Sequence, residues 1–436
     1  MSIRIKQSIL ITLTCVLFAA PTLFAEIPEP YKLDNGLTVI LRPVSTSNQV
    51  AVVVLFNLGG DHDPIGKSGR AHLLEHLYCT ATAGDTPARD VMQFQKHYVA
   101  GWNAQTGADY TVFAGVVAAE QLVAELKDAA ARMNDLHITE ADLNREVPRV
   151  LTELRNMYGG IPSLAGLNRV RTQLHPISQG GQHGGALKHI KAMTLNELQQ
   201  IWTDYYKPNN AILSIAGRFD VAETRQLIHQ NFGQIPAGKS PPTKPPKAPA
   251  KTGTTEHVTV KPVMYNATGV AAIGYTAPLP GSKDYAPFLI VVSRLLAHAQ
   301  NTFQPGKVLP VYYPPLDDTT TIVLQTNLLA DTDSEAALKQ LDQRLNAALT
   351  SPLTSQDKQR TLNFMAMLGT VNRRDAMWMQ NLYGLAFSVG RRYQRKLDGN
   401  ELRDAIQRVT DADMQHLATK LFAPEKRGSV IVELEK

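Results

Sequence analysis

Residues 236–253 read PAGKSPPTKPPKAPAKTG and divide the chain a little past its middle. Six prolines set among lysines, with almost no apolar side chain, cannot build a core, so the stretch reads as an extended, polyproline-like linker. At about 3.1 Å per residue it would reach about 55 Å, enough to cross the face of a domain. The fold must then be made from what lies on either side.

Both sides carry one pattern. Thr194–Gly217 reads TLNELQQIWTDYYKPNNAILSIAG, and Thr410–Glu433 reads TDADMQHLATKLFAPEKRGSVIVE. At a step of 216 positions and without a gap, Thr194, Gln199, Thr203 and Pro208 fall on Thr410, Gln415, Thr419 and Pro424. Leu198, Ile201, Tyr206 and Ile215 fall on Met414, Leu417, Phe422 and Ile431. Each segment reads as a helix of 3.6-residue period, a proline stop and a strand. Strand pairs open both halves, LTVILRPV and VAVVVLFNLGG in the first, EHVTVKP and TGVAAIGYTAP in the second. A chain of 436 residues exceeds one core, and duplication of one unit is the economical reading. The expected class is α+β: two homologous domains, residues 26–235 and 256–436, joined by the linker 236–255. Each is a mainly antiparallel sheet covered by helices on one face.

The first 25 residues stand apart. MSIRIKQ is basic, SILITLTCVLFAA is apolar and PTLFA ends on a small residue, the layout of a secretory signal peptide, residues 1–25, cut after Ala25. The apolar run is short for a membrane span. The expectation is an exported protein, periplasmic or secreted, with no membrane segment after the cut. The cut removes Arg4 and Lys6 and no acid, which lowers a formal charge of only +5 and leaves no case for nucleic acid. It also leaves Cys79 as the one cysteine, which excludes an internal disulfide. The 44% hydrophobic and 19% charged content argue against disorder.

The chemistry concentrates in RAHLLEHLYC, Arg70–Cys79, where His72, Glu75 and His76 spell H-x-x-E-H. At about 100° per residue on a helix, the three side chains share one face. Histidines at i and i+4 can reach one metal ion, and the glutamate stands beside them. A helix that merely packs two histidines has the same spelling, so a third ligand decides. Thr139–Tyr158, TEADLNREVPRVLTELRNMY, reads as a helix capped by Thr139 with Asp142. Its Glu146 and Glu153 lie seven apart on one side, and either can offer a carboxylate. Read alone, they also suit a solvated acidic face with Arg145, Arg149 and Arg155 as partners.

Taken together, these residues resemble the inverzincin metallopeptidases, the pitrilysin/insulinase family, which includes mitochondrial processing peptidase. In that family H-x-x-E-H holds two zinc-binding histidines and a catalytic glutamate. The third ligand is the second glutamate of an E-x6-E helix just under eighty residues on, and here Glu153 follows His76 by 77. The resemblance implies one Zn2+ per chain on His72, His76 and Glu153, with Glu75 as general base and Glu146 as a companion catalytic carboxylate that orients the site. LDNGLTVILRP, GKSGRAHLLEHL and YYKPNNAILSIAG are also similar to the family. NAQTGADYTVF, Asn103–Phe113, resembles its N-A-x-T-x-x-D-x-T strand. That implies an edge strand whose backbone pairs with a substrate peptide, with Asn103 and Ala104 helping to hold it.

The implied activity is zinc-dependent endopeptidase action on peptides or unfolded polypeptides. The alternative is a non-catalytic binding or assembly subunit of a heterodimeric peptidase complex. Pro148 lies inside the glutamate helix and predicts a kink close to Glu153. The second half has no H-x-x-E-H: its matching stretch VSRLLAHAQ holds only His298, and Lys307–Asn327 contains no arginine, though Tyr312 and Tyr313 remain. Some relatives divide these duties, so the resemblance implies a homologous partner subunit that grips substrate, with a chamber between four related domains. Of the remaining residues, Cys79 reads as a small buried hydrophobe. QGGQHGG around His183 reads as a mobile loop, Met365, Met367, Met377 and Met379 as helix core, and Arg391, Arg392 and Tyr393 as a solvated helix end.

Overall fold

The computed structural model describes residues 29–435 apart from 91–92, 94–95, 176–183, 246–248, 264–266, 298–308, 313–320, 329–331 and 368–381. The signal segment 1–25, His183, His298, Tyr313, Met377 and Met379 lie outside the described residues, as do the side chains of Tyr312 and Met367.

The first half supplies β1 (Tyr31–Lys32), β2 (Thr38–Pro43), β3 (Gln49–Phe56), β5 (Trp102–Thr106), β6 (Thr111–Ala118) and β8 (Ala211–Gly217), in the sheet order β1-β2-β8-β3-β6-β5. β4 (Thr82–Ala83) and β7 (Leu136–His137) form a separate ribbon. The second half supplies β9 (Thr255–Val260), β10 (Gly269–Thr276), β11 (Leu309–Tyr312), β12 (Thr321–Leu328) and β13 (Gly428–Leu434), in the order β11-β12-β10-β13-β9. This order repeats β5-β6-β3-β8-β2. β2 with β8 and β9 with β13 are parallel, and the other neighbours in both sheets are antiparallel.

The helices that matter here are α1 (Arg70–Thr80), α2 (Leu122–Asn134), α3 (Glu140–Arg155), α4 (Pro162–Leu174), α5 (Leu195–Tyr205), α6 (Tyr285–Ala297), α7 (Ser334–Thr350), α8 (Leu382–Gln394) and α9 (Asp411–Leu421). The two similar segments fold alike. Thr194 caps α5 through a reciprocal pairing with Glu197, and Thr410 caps α9 through the same pairing with Asp413. Pro208 and Pro424 each open a 3-10 turn, and the strands that follow, β8 and β13, occupy equivalent places.

Both faces of each sheet are covered. In β3 the buried run Val50–Phe56 alternates between them. Val50, Val52, Val54 and Phe56 pack with Leu73 and Leu77 of α1, Leu126 of α2, Val150 of α3 and Leu198 of α5. Ala51, Val53 and Leu55 pack with Ala386 and Val389 of α8, a helix of the other half. The second sheet mirrors this. Ala271 and Ile273 meet Phe288 of α6, Leu341 of α7 and Leu417 of α9, whereas Val270 and Ala272 meet Ala165, Leu167 and Val170 of α4. The expected covering of one face by a half's own helices is present, and the opposite face is closed by one exchanged helix. Each buried Val or Leu contributes about 1.5–3 kcal/mol, so the exchange fastens the halves through two apolar layers.

That exchange corrects the reading of α8. Arg391 and Arg392 are buried, because this side of the end of α8 lies against the first sheet, whereas Tyr393 is exposed as expected. Met365 is core, as expected. The proline-rich linker is anchored at both ends: Gly238 N donates to Asn209 Oδ1 at 2.7 Å, and Lys251 N donates to the Gln173 carbonyl at 2.8 Å. Among the described residues no helix is long and apolar enough to cross a membrane.

Gln173, near the end of α4, is a polar rivet between the halves. Its Nε2 donates to Ser429 O and to Glu256 Oε2, both at 3.1 Å, and its Oε1 accepts from Ser429 N at 2.8 Å. Gln173→Ala strips the buried Ser429 backbone of these partners and is expected to cost about 1–3 kcal/mol, read as a lower denaturation midpoint. An unchanged midpoint would remove the rivet from the account.

Candidate metal centre

α1 is a buried helix that carries polar side chains, and its start has to be held from outside. Gly69, at its N-cap, has no side chain to offer and sits at φ 90°. Asp63 does the capping from six residues upstream: its carboxylate accepts from Gly69 N (2.8 Å), Arg70 N (3.0 Å) and Ala71 N (3.1 Å). A carboxylate against these free N–H groups also meets the positive end of the helix dipole. Burial pushes the Asp63 carboxyl up to about 7, against the pull of Arg70 and the three amides. Along the helix His72, Glu75 and Cys79 are buried, and burial holds the Cys79 thiol well above its usual range.

α3 starts at the expected cap: Thr139 Oγ1 accepts from Asp142 N at 3.2 Å, and Asp142 Oδ2 accepts from Thr139 N at 2.9 Å. Leu143, Val150, Leu151 and Leu154 bury one face. The helix runs through Pro148 to Arg155 and continues into a π turn, Asn156–Gly160. Pro148 does not carry Glu153 out of reach of α1. Glu146 is fully buried and its Oε1 accepts from Arg145 Nε (2.9 Å) and Arg149 Nη1 (2.8 Å). Glu153 is 43% exposed and faces histidines. The acidic face with arginine partners thus describes Glu146 in part and does not describe Glu153.

The helices bring three donors together. His72 Nε2 lies 3.6 Å from Glu153 Oε1, and His76 Nε2 lies 3.3 Å from Glu153 Oε2. One ligand atom from each of the three residues falls within 4.8 Å of the others. The outer ring nitrogens are engaged behind. His72 Nδ1 donates to the Gly184 carbonyl at 2.9 Å, and His76 Nδ1 lies 3.5 Å from Glu146 Oε2. Burial opposes charge on both rings. Glu153 and Glu75 nevertheless raise His72, and Glu146, Glu153 and Glu75 hold His76 up at about 10. Burial likewise works against the Glu153 carboxylate, yet the two histidines hold it well below the usual range. Each shift marks a carboxylate aimed at an imidazole nitrogen. Two imidazoles and a carboxylate with ring orientations set from behind fit zinc, which takes these donors with one position left for water.

Gly184 belongs to the glycine-rich stretch read as a mobile loop, and its described end is packed down. Gly184 and Gly185 hold φ of 88° and 109°. A Cβ on Gly185 would come within 2.4 Å of the Gly69 Cα. Ser68 Oγ adds a fastening, accepting from Ala186 N at 3.1 Å.

Glu75 faces a cleft of about 230 Å³ whose walls include His72, Glu153, Ala104, Thr106, Gly184 and Arg171. Thr106 Oγ1 donates to Glu75 Oε2 at 2.6 Å. Thr106 ends β5, which pairs with β6 on one side and forms an edge of the first sheet. Side chains alternate along β5, so Ala104 and Thr106 share the cleft face and Asn103 belongs to the other. Asn103 faces α8, close enough to Tyr383 to oppose the rise that burial gives its hydroxyl. Asn103 itself is not among the residues that line the cleft. Glu146 lies behind His76 and does not line the cleft. Asp63, Thr106 and the Gly184 carbonyl escaped the sequence reading. Only the doubled glycine carried a signal for the last of them.

Known proteins resemble this chain in sequence and in fold. The family model described as Insulinase (Peptidase family M16) matches residues 38–159, and that described as Peptidase M16 inactive domain matches residues 192–304. Zinc protease PqqE of Helicobacter pylori is 27% identical over 282 residues, which span 63% of this chain and 62% of that protein. The mitochondrial-processing peptidase subunit beta of Saccharomyces cerevisiae is 24% identical over 276 residues, 59% of this chain and 57% of that subunit. The match thus spans about three fifths of the length of these curated relatives. The crystal structure of a protease from Helicobacter pylori superposes with a TM-score of 0.76 at 20% identity, covering 93% of this chain and 99% of that one. The chain belongs to the pitrilysin/insulinase family, peptidase family M16.

Proposed function

We propose that the chain is a zinc endopeptidase that hydrolyses peptides or unfolded polypeptides. The observation that carries this is the convergence of His72 Nε2, His76 Nε2 and a Glu153 carboxylate beside Glu75, in a cleft bordered by a sheet edge. His72, His76 and Glu153 would hold the ion, which supplies Lewis acidity for the attacking water and the peptide carbonyl when bound. Glu75 takes the proton of that water and returns it to the leaving amine. The Thr106 hydroxyl holds Glu75 Oε2, so Oε1 is the oxygen left to face the water. Glu146 keeps His76 oriented from behind, as a positioning residue. The backbone of β5 offers its unpaired side to an extended peptide.

The organisation that goes with this reading is a peptidase half, residues 26–235, and a metal-free half, residues 256–436, joined by the linker 236–255. Export after removal of residues 1–25 supplies the compartment, periplasmic or extracellular. The partner is a homologous subunit that grips substrate, in line with the resemblance to a processing-peptidase beta subunit.

Glu75→Gln is expected to bind zinc as the parent does and to lose at least about a hundredfold in peptide turnover, read with a fluorogenic peptide alone and with the candidate partner added. Normal turnover by that variant would overturn the role of Glu75. A parent chain that binds zinc and cleaves nothing, with or without the partner, would instead favour the non-catalytic assembly subunit.

Gly185→Ala forces a Cβ into the Gly69 backbone and withdraws the Gly184 carbonyl from His72. Losing a group that orients a ligand is expected to lower zinc affinity about 10–100-fold, measured by competition with a chromophoric chelator. Unchanged affinity would show that His72 does not need that carbonyl.

A further inference from the structure

We infer that α8, a helix of the second half, is the positioning element of the β5–β6 hairpin, and that Arg391 is the positioning residue at its centre. The catalytic part of this inference rests on the function proposed above; the structural part does not.

Tyr383, Phe387 and Arg391 follow one another at steps of four and form a ridge along α8, and Arg395 stands one step further, just past its end. Each meets the hairpin. Tyr383 lies near Asn103 of β5, whose amide favours its ionised hydroxyl. The Phe387 ring lies 5.9 Å from that of Tyr110. Arg391 is fully buried, its guanidinium 3.9 Å above the Tyr110 ring, and its Nη2 donates to Asp109 Oδ1 at 3.2 Å. Arg395 Nη2 takes the other carboxylate oxygen of Asp109, also at 3.2 Å. Gln394 Nε2 donates to the Asp109 carbonyl at 3.4 Å.

Asp109 sits in the turn between β5 and β6, three residues beyond Thr106. From the opposite side the same turn is tied to the loop that leads to α1: Gly60 N donates to Gly107 O at 2.9 Å, and Asp61 N donates to Ala108 O at 2.8 Å. The hairpin that holds Glu75 through Thr106 is thus gripped between α8 behind and the α1 approach in front. His72, His76 and Glu153 come from α1 and α3, and their fastenings are Asp63, Gly184 and Glu146. None of these fastenings is in α8.

A fully buried guanidinium paired with a mostly covered carboxylate is a directional tie, because removing the carboxylate leaves the guanidinium charge in a dry place. Arg supplies a planar fork here that Lys does not reproduce. The second half, which carries no H-x-x-E-H, therefore acts on the reaction by fixing the substrate edge and the Glu75 contact, and it leaves metal binding to the first half.

The test compares the full-length parent with Arg391→Met, Arg391→Lys and Asp109→Asn. Zinc affinity is measured by chelator competition, amide hydrogen exchange is followed across residues 102–111, and kcat and KM are determined with a fluorogenic peptide. In Arg391→Met, exchange in the hairpin is expected to rise about tenfold or more, with zinc affinity within about twofold of the parent. kcat/KM is expected to fall about tenfold or more, because a small misplacement of the edge suffices for that. Arg391→Lys should recover part of both losses. If Arg391→Met does not fold, the Lys and Asn variants carry the same comparison. Hairpin exchange unchanged in folded variants would overturn the inference, and so would exchange that rises evenly over the whole chain with matching loss of zinc. A parent without peptide turnover would sink the proposed function, while the exchange result would still decide the role of α8.

Discussion

One carboxylate facing two imidazoles governs this molecule. Glu153 comes from α3 and the histidines from α1, and nothing in the local geometry of either helix makes them meet. Bringing such groups out of water costs several kcal/mol per charge unless partners surround them. The surroundings are arranged accordingly. Asp63 fixes the start of α1, Gly184 and Glu146 turn the rings, and Arg145 and Arg149 neutralise Glu146 from behind. The result is a preorganised donor set that borders the cleft.

The exchanged helices extend this constraint through the chain. α4 follows the glutamate helix after a single π turn and packs on the second sheet, so the carboxylate end of the site is braced by the second half. α8 returns from the second half to the first sheet and braces the hairpin end. Two copies of one topology therefore do more than sit side by side. Each closes the open face of the other, and the cleft inherits its shape from both. A linker that only tethered the halves would not achieve this, and it need not, since the apolar layers and Gln173 hold them in register.

Much of this was legible in the residues, and the failures have a common cause. H-x-x-E-H was readable because i, i+4 spacing fixes a shared helix face. The Thr139, Thr194 and Thr410 caps were readable because their partners lie three residues away. The repeat was readable because a helix, a proline and a strand recur at one step. Arg391 was misread because its partner, Asp109, lies in the other half, and a charged pair at a helix end looks solvated until the sheet beneath it is known. Asp63 and Gly184 were missed for the same reason, acting across folds of the chain that no spacing encodes. The unbroken run Val50–Phe56 did hold a clue to the second covered face, since a strand buried on one side alternates with polar residues and this one does not. The strand of Asn103 lies at the sheet edge, where the resemblance implied.

The claim that everything else depends on is the identity of the ion's seat. Anomalous diffraction recorded on either side of the zinc absorption edge, from crystals of the purified full-length chain, tests it most directly. The account predicts one zinc peak per chain between His72 Nε2, His76 Nε2 and the Glu153 carboxylate, with Glu146 outside its coordination. A peak seated on other residues, or no peak from protein supplied with zinc, would contradict it.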